Sequence, residues 1–505
     1  MPRPGRRQFD QHSSIQGIRL ATPRMRRTKI VATLGPATDD PKVLDGLIAA
    51  GVDVIRLNYS YGSHDSHKHR IDQLRACSQA RGTQVGAIAD LQGPKIRIQR
   101  FRGGRVELRE GASFTLDAAI PPADGDEHRV GVTYVELPND VKRGDTLFID
   151  DGRIVLEVKR VLGTGVECVV RVGGGLSDSK GLNRAGGGLS AGALTSKDRA
   201  DIRHAVDIGA DYIAVSFPRN AADIEEARRV IAESNGTCGV IAKIERAEAL
   251  QCIDEILRAS DGIMIARGDL GVEIGDAALP PVQKRLIQQA RNANRLVITA
   301  TQMMESMIAN QIPTRAEVFD VANAVLDGTD AVMLSAETSV GKYPRKAVEA
   351  MDRICLETET QWGLRGADYR IDSPFDRIDE AIAMSTVYAA NHIGAKAILA
   401  LTETGATGIW MSRVLTGIPI FAFTRRPETL RRVTLCRGVY PINFDVTHTD
   451  FLRVNREMID ILLERGAIHE EDIVVITKGD LRGKQGGTNG MKIVRVGELA
   501  AESAL

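Results

Sequence analysis

A set of polar residues stands at the ends of short apolar runs: Arg56, Asn58 and Ser60, then Asp90, Lys243 with Glu245, Arg267 with Asp269, Thr301 and Ser335. Two carboxylates that end neighbouring runs, Glu245 and Asp269, can share one hard divalent cation, and Mg2+ takes one or two carboxylates while keeping sites for water and substrate oxygens. Zinc suits the set less well, because the histidines nearest these ends, His64, His67 and His69, read as a solvated helix face. Lys243 and Arg56 add two cations, as expected where a phosphoryl group is held and its transition-state charge neutralised. An anionic, phosphorylated small substrate follows. Any one of these residues alone reads more often as a structural ion pair; the set together does not. Gly268 and residues 269–273 read as a tight turn whose N–H groups suit a carboxylate or phosphate.

The elements that must position these residues follow from hydrophobic rhythm. Short β-branched runs at 29–34, 54–57, 85–90, 212–216, 240–244, 262–266, 296–299 and 331–334 alternate with amphipathic stretches such as 39–50, 222–233, 279–294 and 316–326. Eight βα units imply an α/β fold, a TIM (β/α)8 barrel, in which the chemistry sits at the C-terminal ends of the strands, where the polar set falls. Between 94 and 194 the helical period is lost, and alternating segments at 105–108, 146–149, 154–158 and 167–172 read as antiparallel strands. This block separates the third strand from its helix at 196–208, so it is an inserted β-barrel lid domain overhanging the catalytic face. Glycines at 173–175 and 186–188 let the return connection bend, which makes the lid mobile in this reading. The barrel then spans 25–93 and 195–365, and after a linker from about 361 a C-terminal α/β domain takes 373–505, with helices at 376–391 and 408–415 and strands at 397–401, 418–423 and 473–476.

Composition narrows the classes further. Over 505 residues, 66 Lys and Arg balance 66 Asp and Glu, so no global field draws nucleic acid or an anionic membrane surface. The six cysteines, Cys77, Cys168, Cys238, Cys252, Cys355 and Cys436, form no CxxC pair, which fits a reducing cytoplasm. Apolar runs are strand-sized, and no signal-peptide core stands at the N-terminus. Residues 1–24, with five arginines against Asp10, read as a disordered basic tail.

The runs Thr28-Lys29-Ile30-Val31, Arg56-Leu57-Asn58, Gly93-Pro94-Lys95-Ile96-Arg97, Lys243-Ile244-Glu245, Ala266-Arg267-Gly268-Asp269-Leu270-Gly271-Val272-Glu273 and Ala300-Thr301-Gln302-Met303 resemble those of pyruvate kinase. So do Pro313-Thr314-Arg315-Ala316-Glu317 and the run from Asp320 to Gly328, in matching order over about residues 26–496. The resemblance implies phosphoryl transfer from phosphoenolpyruvate to ADP, giving ATP and an enolate that is protonated to pyruvate. It implies that Arg56 and Lys243 grip the phosphoryl group, that Glu245 and Asp269 hold Mg2+, with Mn2+ as the alternative, and that Gly268, Asp269 and Thr301 bind the carboxylate side. Thr301 and Ser335 are the hydroxyl candidates for enolate protonation. Asn58, Arg97 and Lys197 match nucleotide contacts.

Two departures from the family pattern matter. The usual Thr-Lys-Gly-Pro-Glu-Ile-Arg run stands here as Leu91-Gln92-Gly93-Pro94-Lys95-Ile96-Arg97. In the common form K+ sits among residues matching Asn58, Ser60, Asp90 and the Leu91 carbonyl; the Lys95 ammonium is expected to supply that charge itself, making K+ unnecessary. Tyr61 replaces a usual histidine, which removes one expected nucleotide contact. In the C-terminal domain, Thr402, Thr404, Gly405 and Thr407 resemble the family's effector phosphate loop. Ala406 stands where a basic residue is frequent, so a sugar monophosphate or AMP is expected rather than fructose 1,6-bisphosphate. The family is typically a homotetramer. Rival readings, a carbon–carbon lyase on the same barrel or a silent scaffold, leave respectively the lid arginine and the intact polar set without purpose.

Overall fold

The computed structural model describes residues 25–360, 374–414, 416–447, 453–480 and 486–498. The basic tail and most of the linker expected from the sequence lie outside these residues. Eight parallel strands, Lys29–Thr33, Val54–Asn58, Gly86–Asp90, Tyr212–Val215, Gly239–Ile244, Gly262–Ala266, Leu296–Ala300 and Ala331–Leu334, form a closed barrel, in which the eighth pairs with the first through Lys29 and Ala331. Their near-continuous apolar character follows from burial on both faces, since side chains pack into the barrel interior on one side and under helices on the other. The helices carry the expected start signals. Asp40 accepts from the Lys42 N–H ahead of Pro41–Ala49, and Thr314 and Glu317 form a reciprocal capping box at the start of Arg315–Asp327.

The chain leaves the barrel after strand three and returns in helix Ser196–Asp207. In between, strands hydrogen-bond as a six-stranded sheet and a two-stranded ribbon that share one apolar core, including Phe114, Leu147, Leu156, Val166 and Leu176. Pairing is antiparallel, as expected, except that Ser113–Asp117 and Arg129–Gly131 run parallel. On the return path Gly186, Gly187 and Gly188 all have positive φ, 74°, 76° and 91°, so that connection uses conformations open chiefly to glycine. The Gly186 N–H donates to the Glu273 carbonyl at 3.1 Å, and Arg246 donates to the Leu189 and Ala191 carbonyls, so this segment is tied to the barrel rim.

The C-terminal domain is a five-stranded sheet, four strands parallel and the last, Gly490–Arg495, antiparallel. It packs across the N-terminal mouth of the barrel. Ile88, Ile241, Met264 and Ile298 of the barrel belong to one apolar cluster with Val387, Met411, Leu435 and Val439. Buried polar groups lock the junction. Lys29 Nζ donates to the Val439 carbonyl at 2.8 Å, Tyr212 donates to the Arg432 carbonyl at 3.0 Å, and Arg413 is wholly buried against Asp330. The lid thus covers one end of the barrel and this domain the other.

Two local expectations need correction. Residues 269–273 are not a tight turn but part of an eight-residue helix, Arg267–Ile274, because Leu270 and Glu273, three residues apart, are buried on one face. The histidines only partly form the expected solvated face: His64 and His69 are exposed, whereas His67 is not. His67 is 2% exposed and stacked on Tyr59 at 4.3 Å, and burial first, with Arg70 nearby, pushes its pKa down to about 4. His64 bonds to the buried carboxylate of Asp201 at 2.8 Å.

Candidate active site

Strand register brings the polar set together. Strands two and three align Asn58 with Asp90, and strand five carries Lys243 inward, facing that pair across the barrel's C-terminal mouth. Arg56 Nε donates to Asp90 Oδ2 at 2.6 Å, and its Nη1 donates to Thr33 Oγ1 at 3.1 Å. Lys243 Nζ lies 3.1 Å from Asp90 Oδ1, 2.9 Å from Glu245 Oε1 and 2.6 Å from Ser216 Oγ. Glu245 also accepts from the Phe217 N–H at 2.8 Å. Arg56, Asp90, Lys243 and Glu245 are all buried.

Burial opposes charge on each of these groups, and the neighbours decide the outcome. Burial would strip the Lys243 proton, but Asp90 and Glu245 outweigh it and hold the pKa above the ordinary lysine range. Burial would likewise protonate Asp90, yet Arg56 and Lys243 keep it below the usual carboxylate range. Glu245 goes the other way. Burial, reinforced by the charge of Asp269, exceeds the help from Lys243 and raises its pKa. The cluster therefore presents a permanent ammonium and a carboxylate that gains from an added cation.

At strands six and seven, Gly268 N–H donates to Thr301 Oγ1 at 2.9 Å, and Thr301 Oγ1 donates to the Ala300 carbonyl at 2.6 Å. Thr301 and Gln302 have positive φ, 67° and 54°, an outlying conformation for a β-branched residue. Arg267 holds it, donating to the Thr301 carbonyl at 2.6 Å while paired with Asp320 at 2.7 Å. At strand eight the Ser335 N–H donates to Glu337 at 2.7 Å, and the buried Ser335 hydroxyl has no hydrogen-bond partner among the described residues.

Other expected residues lie farther out. Lys197 Nζ donates to the Tyr59 carbonyl at 2.8 Å and to Asp201 at 2.6 Å, which brings it to the Asn58–Ser60 turn. Arg97 is on the lid side, donating to the Ser179 carbonyl at 2.9 Å, and touches none of the barrel cluster. The Leu91 carbonyl accepts from Ser216 at 2.8 Å, and Asn58 Oδ1 accepts from the Ser60 N–H at 3.1 Å. Lys95 is not among these groups, where the sequence had suggested it. Its ammonium is on Asp269 Oδ1 at 2.9 Å, because Asp90 is already matched by Arg56 and Lys243 whereas Asp269 has no other cation among the described residues. In the C-terminal domain the Gly405 N–H donates to Thr402 Oγ1 at 2.9 Å, the Ala406 N–H to Thr404 Oγ1 at 3.4 Å, and Thr407 bonds to Thr488 at 2.8 Å.

Comparison with known proteins settles the family. The barrel-domain model of pyruvate kinase matches residues 25–348, and its alpha/beta-domain model matches residues 380–494. The chain belongs to the pyruvate kinase family. It is 51% identical to pyruvate kinase II of Salmonella typhimurium over 477 residues, covering 94% of this chain and 99% of that one. It is 49% identical to the pyruvate kinase of Haemophilus influenzae, with coverages of 90% and 96%. The crystal structure of a pyruvate kinase from Cryptosporidium parvum superposes with a TM-score of 0.87 at 35% identity, covering 93% of this chain and 96% of that chain. The chain's reaction is phosphoryl transfer from phosphoenolpyruvate to ADP, and a divalent metal ion is part of the family's equipment. Among the described residues no helix is long and apolar enough to cross a membrane.

The sequence reading missed three groups of this candidate site. Ser216 bonds Lys243, the Phe217 N–H, set by a positive φ of 56°, bonds Glu245, and Glu337 ties the Ser335 N–H to the Met304 N–H. Ser216 was within reach, since it closes the fourth apolar run as the other polar residues close theirs. A backbone N–H leaves no trace in residue type.

Proposed function

We propose that the pyruvate kinase reaction runs at Arg56, Lys243, Glu245, Asp269 and Thr301, and the observation that carries this reading is the buried Lys243 ammonium, held charged by Asp90 and Glu245 at the mouth of the barrel. Arg56 and Lys243 grip the phosphoryl group, and Lys243 neutralises the charge that grows on it in flight. The Gly268 N–H, Asp269 and Thr301 orient the carboxylate side of phosphoenolpyruvate. Thr301 and the unpartnered Ser335 hydroxyl serve a relay through water that protonates the enolate. Asn58, Arg97 and Lys197 hold the nucleotide, and lid closure carries Arg97 inward and excludes water.

The donor set fits Mg2+, or Mn2+ in its place. Among the described residues no group of three His, Cys, Asp or Glu side chains is placed to hold a metal, so Glu245 and Asp269 leave most of the shell to water and substrate oxygens, as Mg2+ prefers. Bound there, the ion supplies Lewis-acid polarisation of the phosphoryl and enolate oxygens. Lys95 brings a further ammonium to this rim, on Asp269 rather than among Asn58, Ser60, Asp90 and the Leu91 carbonyl, and is read as supporting turnover without K+.

The Thr402–Thr407 loop is read as a phosphate site for a sugar monophosphate or AMP. Exposed Ile312 and Phe319, the latter on helix Arg315–Asp327, and Met491 and Ile493 on the edge strand support a homotetramer, and the reading of a cytoplasmic enzyme rests on the unpaired cysteines. The decisive experiment is a coupled assay with phosphoenolpyruvate, ADP and Mg2+. Lys243→Met should lower kcat by roughly 10^3-fold, and the wild type should turn over in Tris or sodium buffer. Loss of turnover without K+ sinks the role given to Lys95; unchanged kcat in Lys243→Met sinks the site.

A further inference from the structure

Both carboxylates of the metal pair already carry an ammonium, and the two ammoniums are held very differently. Lys243 on Glu245 is buried and has two further partners, Asp90 and Ser216, so it stays where it is when charge is added nearby. Lys95 on Asp269 has no second fixed partner among the described residues, and the two side chains are 27% and 21% exposed. Lys95 also stands on the segment that joins strand three to the lid. Gly93, two residues before it, has φ 66°, and a Cβ there would lie 2.7 Å from the Ser216 Cβ. Two residues after it, Arg97 begins lid pairing with Gly181.

We propose that Lys95 is a resident counter-ion of Asp269 that a divalent cation must displace in order to bind. The inference rests on the reading of Glu245 and Asp269 as the metal carboxylates and adds to it. A lysine ammonium and a divalent ion cannot both sit in contact with one carboxylate oxygen without strong repulsion, whereas either alone relieves that carboxylate. The displaced side chain remains on the lid hinge and within reach of the phosphoryl-binding mouth. Its release therefore ties metal occupancy to the hinge, and by linkage anything that draws Lys95 away from Asp269 tightens metal binding by the same factor.

The test is direct Mn2+ binding, followed by electron paramagnetic resonance of the free ion with no nucleotide or phosphoenolpyruvate present. Lys95→Met and Lys95→Gln should each bind Mn2+ about 5- to 10-fold more tightly than the wild type, while Lys95→Arg, which keeps the charge, should remain close to wild type. Equal or weaker binding in Lys95→Met and Lys95→Gln, with circular dichroism unchanged, overturns the proposal. Asp269→Asn separates the two levels of the argument. If it leaves Mn2+ affinity intact, the metal assignment itself fails; if it weakens binding while the Lys95 variants change nothing, only the counter-ion role fails.

Discussion

Lys243 keeps its proton in a place where burial alone would remove it, and Glu273, on the rim helix beneath the lid, shows the opposite balance. Burial, with the charge of Glu248 added, raises Glu273 to about 7, against the help of the Ala247 N–H. Its folded pKa lies above the unfolded value, so the folded state binds the extra proton between about 4.5 and 7, and this contribution to stability is lost as pH rises through that window. Glu273→Gln, which stays neutral, should be more stable than the wild type at pH 8 by roughly 2 kcal/mol and no more stable at pH 4, read by thermal melting. No gain at pH 8 would mean that the buried carboxylate is already relieved. At this scale sequence reading picks out side chains whose type declares their chemistry, such as Lys243, Glu245 and Asp269, which the fold brings to one mouth of the barrel. It fails for the Phe217 N–H, whose role depends on a backbone angle, and for Lys95, whose partner depends on which carboxylate other cations leave open.

Among elements, the eight barrel strands were legible to within a residue or two because burial on both faces imposes continuous apolar runs. The helix Arg267–Ile274 was not, since two glycines in eight residues argue for a turn until the tertiary burial of Leu270 is known. His67 misled for a related reason: the helix His64–Arg81 is polar almost throughout, and His67 lies on the narrow side marked by the buried Ile71 and Leu74, where it stacks on Tyr59. The proposed phosphate loop is a property of an element too, a strand end running into the helix Ala406–Arg413. Titrating glucose 6-phosphate, ribose 5-phosphate and AMP at subsaturating phosphoenolpyruvate should lower its half-saturation concentration for at least one of them, and Thr404→Ala should blunt the response. No shift with any of the three rejects the loop as a phosphate site.

For the whole molecule, the junction between barrel and C-terminal domain is the feature no sequence pattern announced. Asp330, immediately before strand eight, takes Arg413 from the far end of the helix Ala406–Arg413 and also accepts from the Val297 N–H at 2.9 Å and the Arg437 N–H at 3.1 Å. Breaking such a buried pair from one side leaves an uncompensated charge, so Arg413→Met should cost roughly 3–5 kcal/mol, read as a lower urea midpoint. Adding Asp330→Leu should restore little, because two backbone donors then lose their acceptor. A double variant as stable as the wild type would contradict this account.

The closed ring has a consequence for the order in which the chain can fold. Strand one must wait for strand eight, some three hundred residues later, before Lys29 finds Ala331. The lid depends on no such delay, since its strands and its core all lie between the third strand and helix Ser196–Asp207. As the chain leaves the ribosome, the inserted domain can therefore form its own core while the barrel that will carry it is still an open, incomplete sheet.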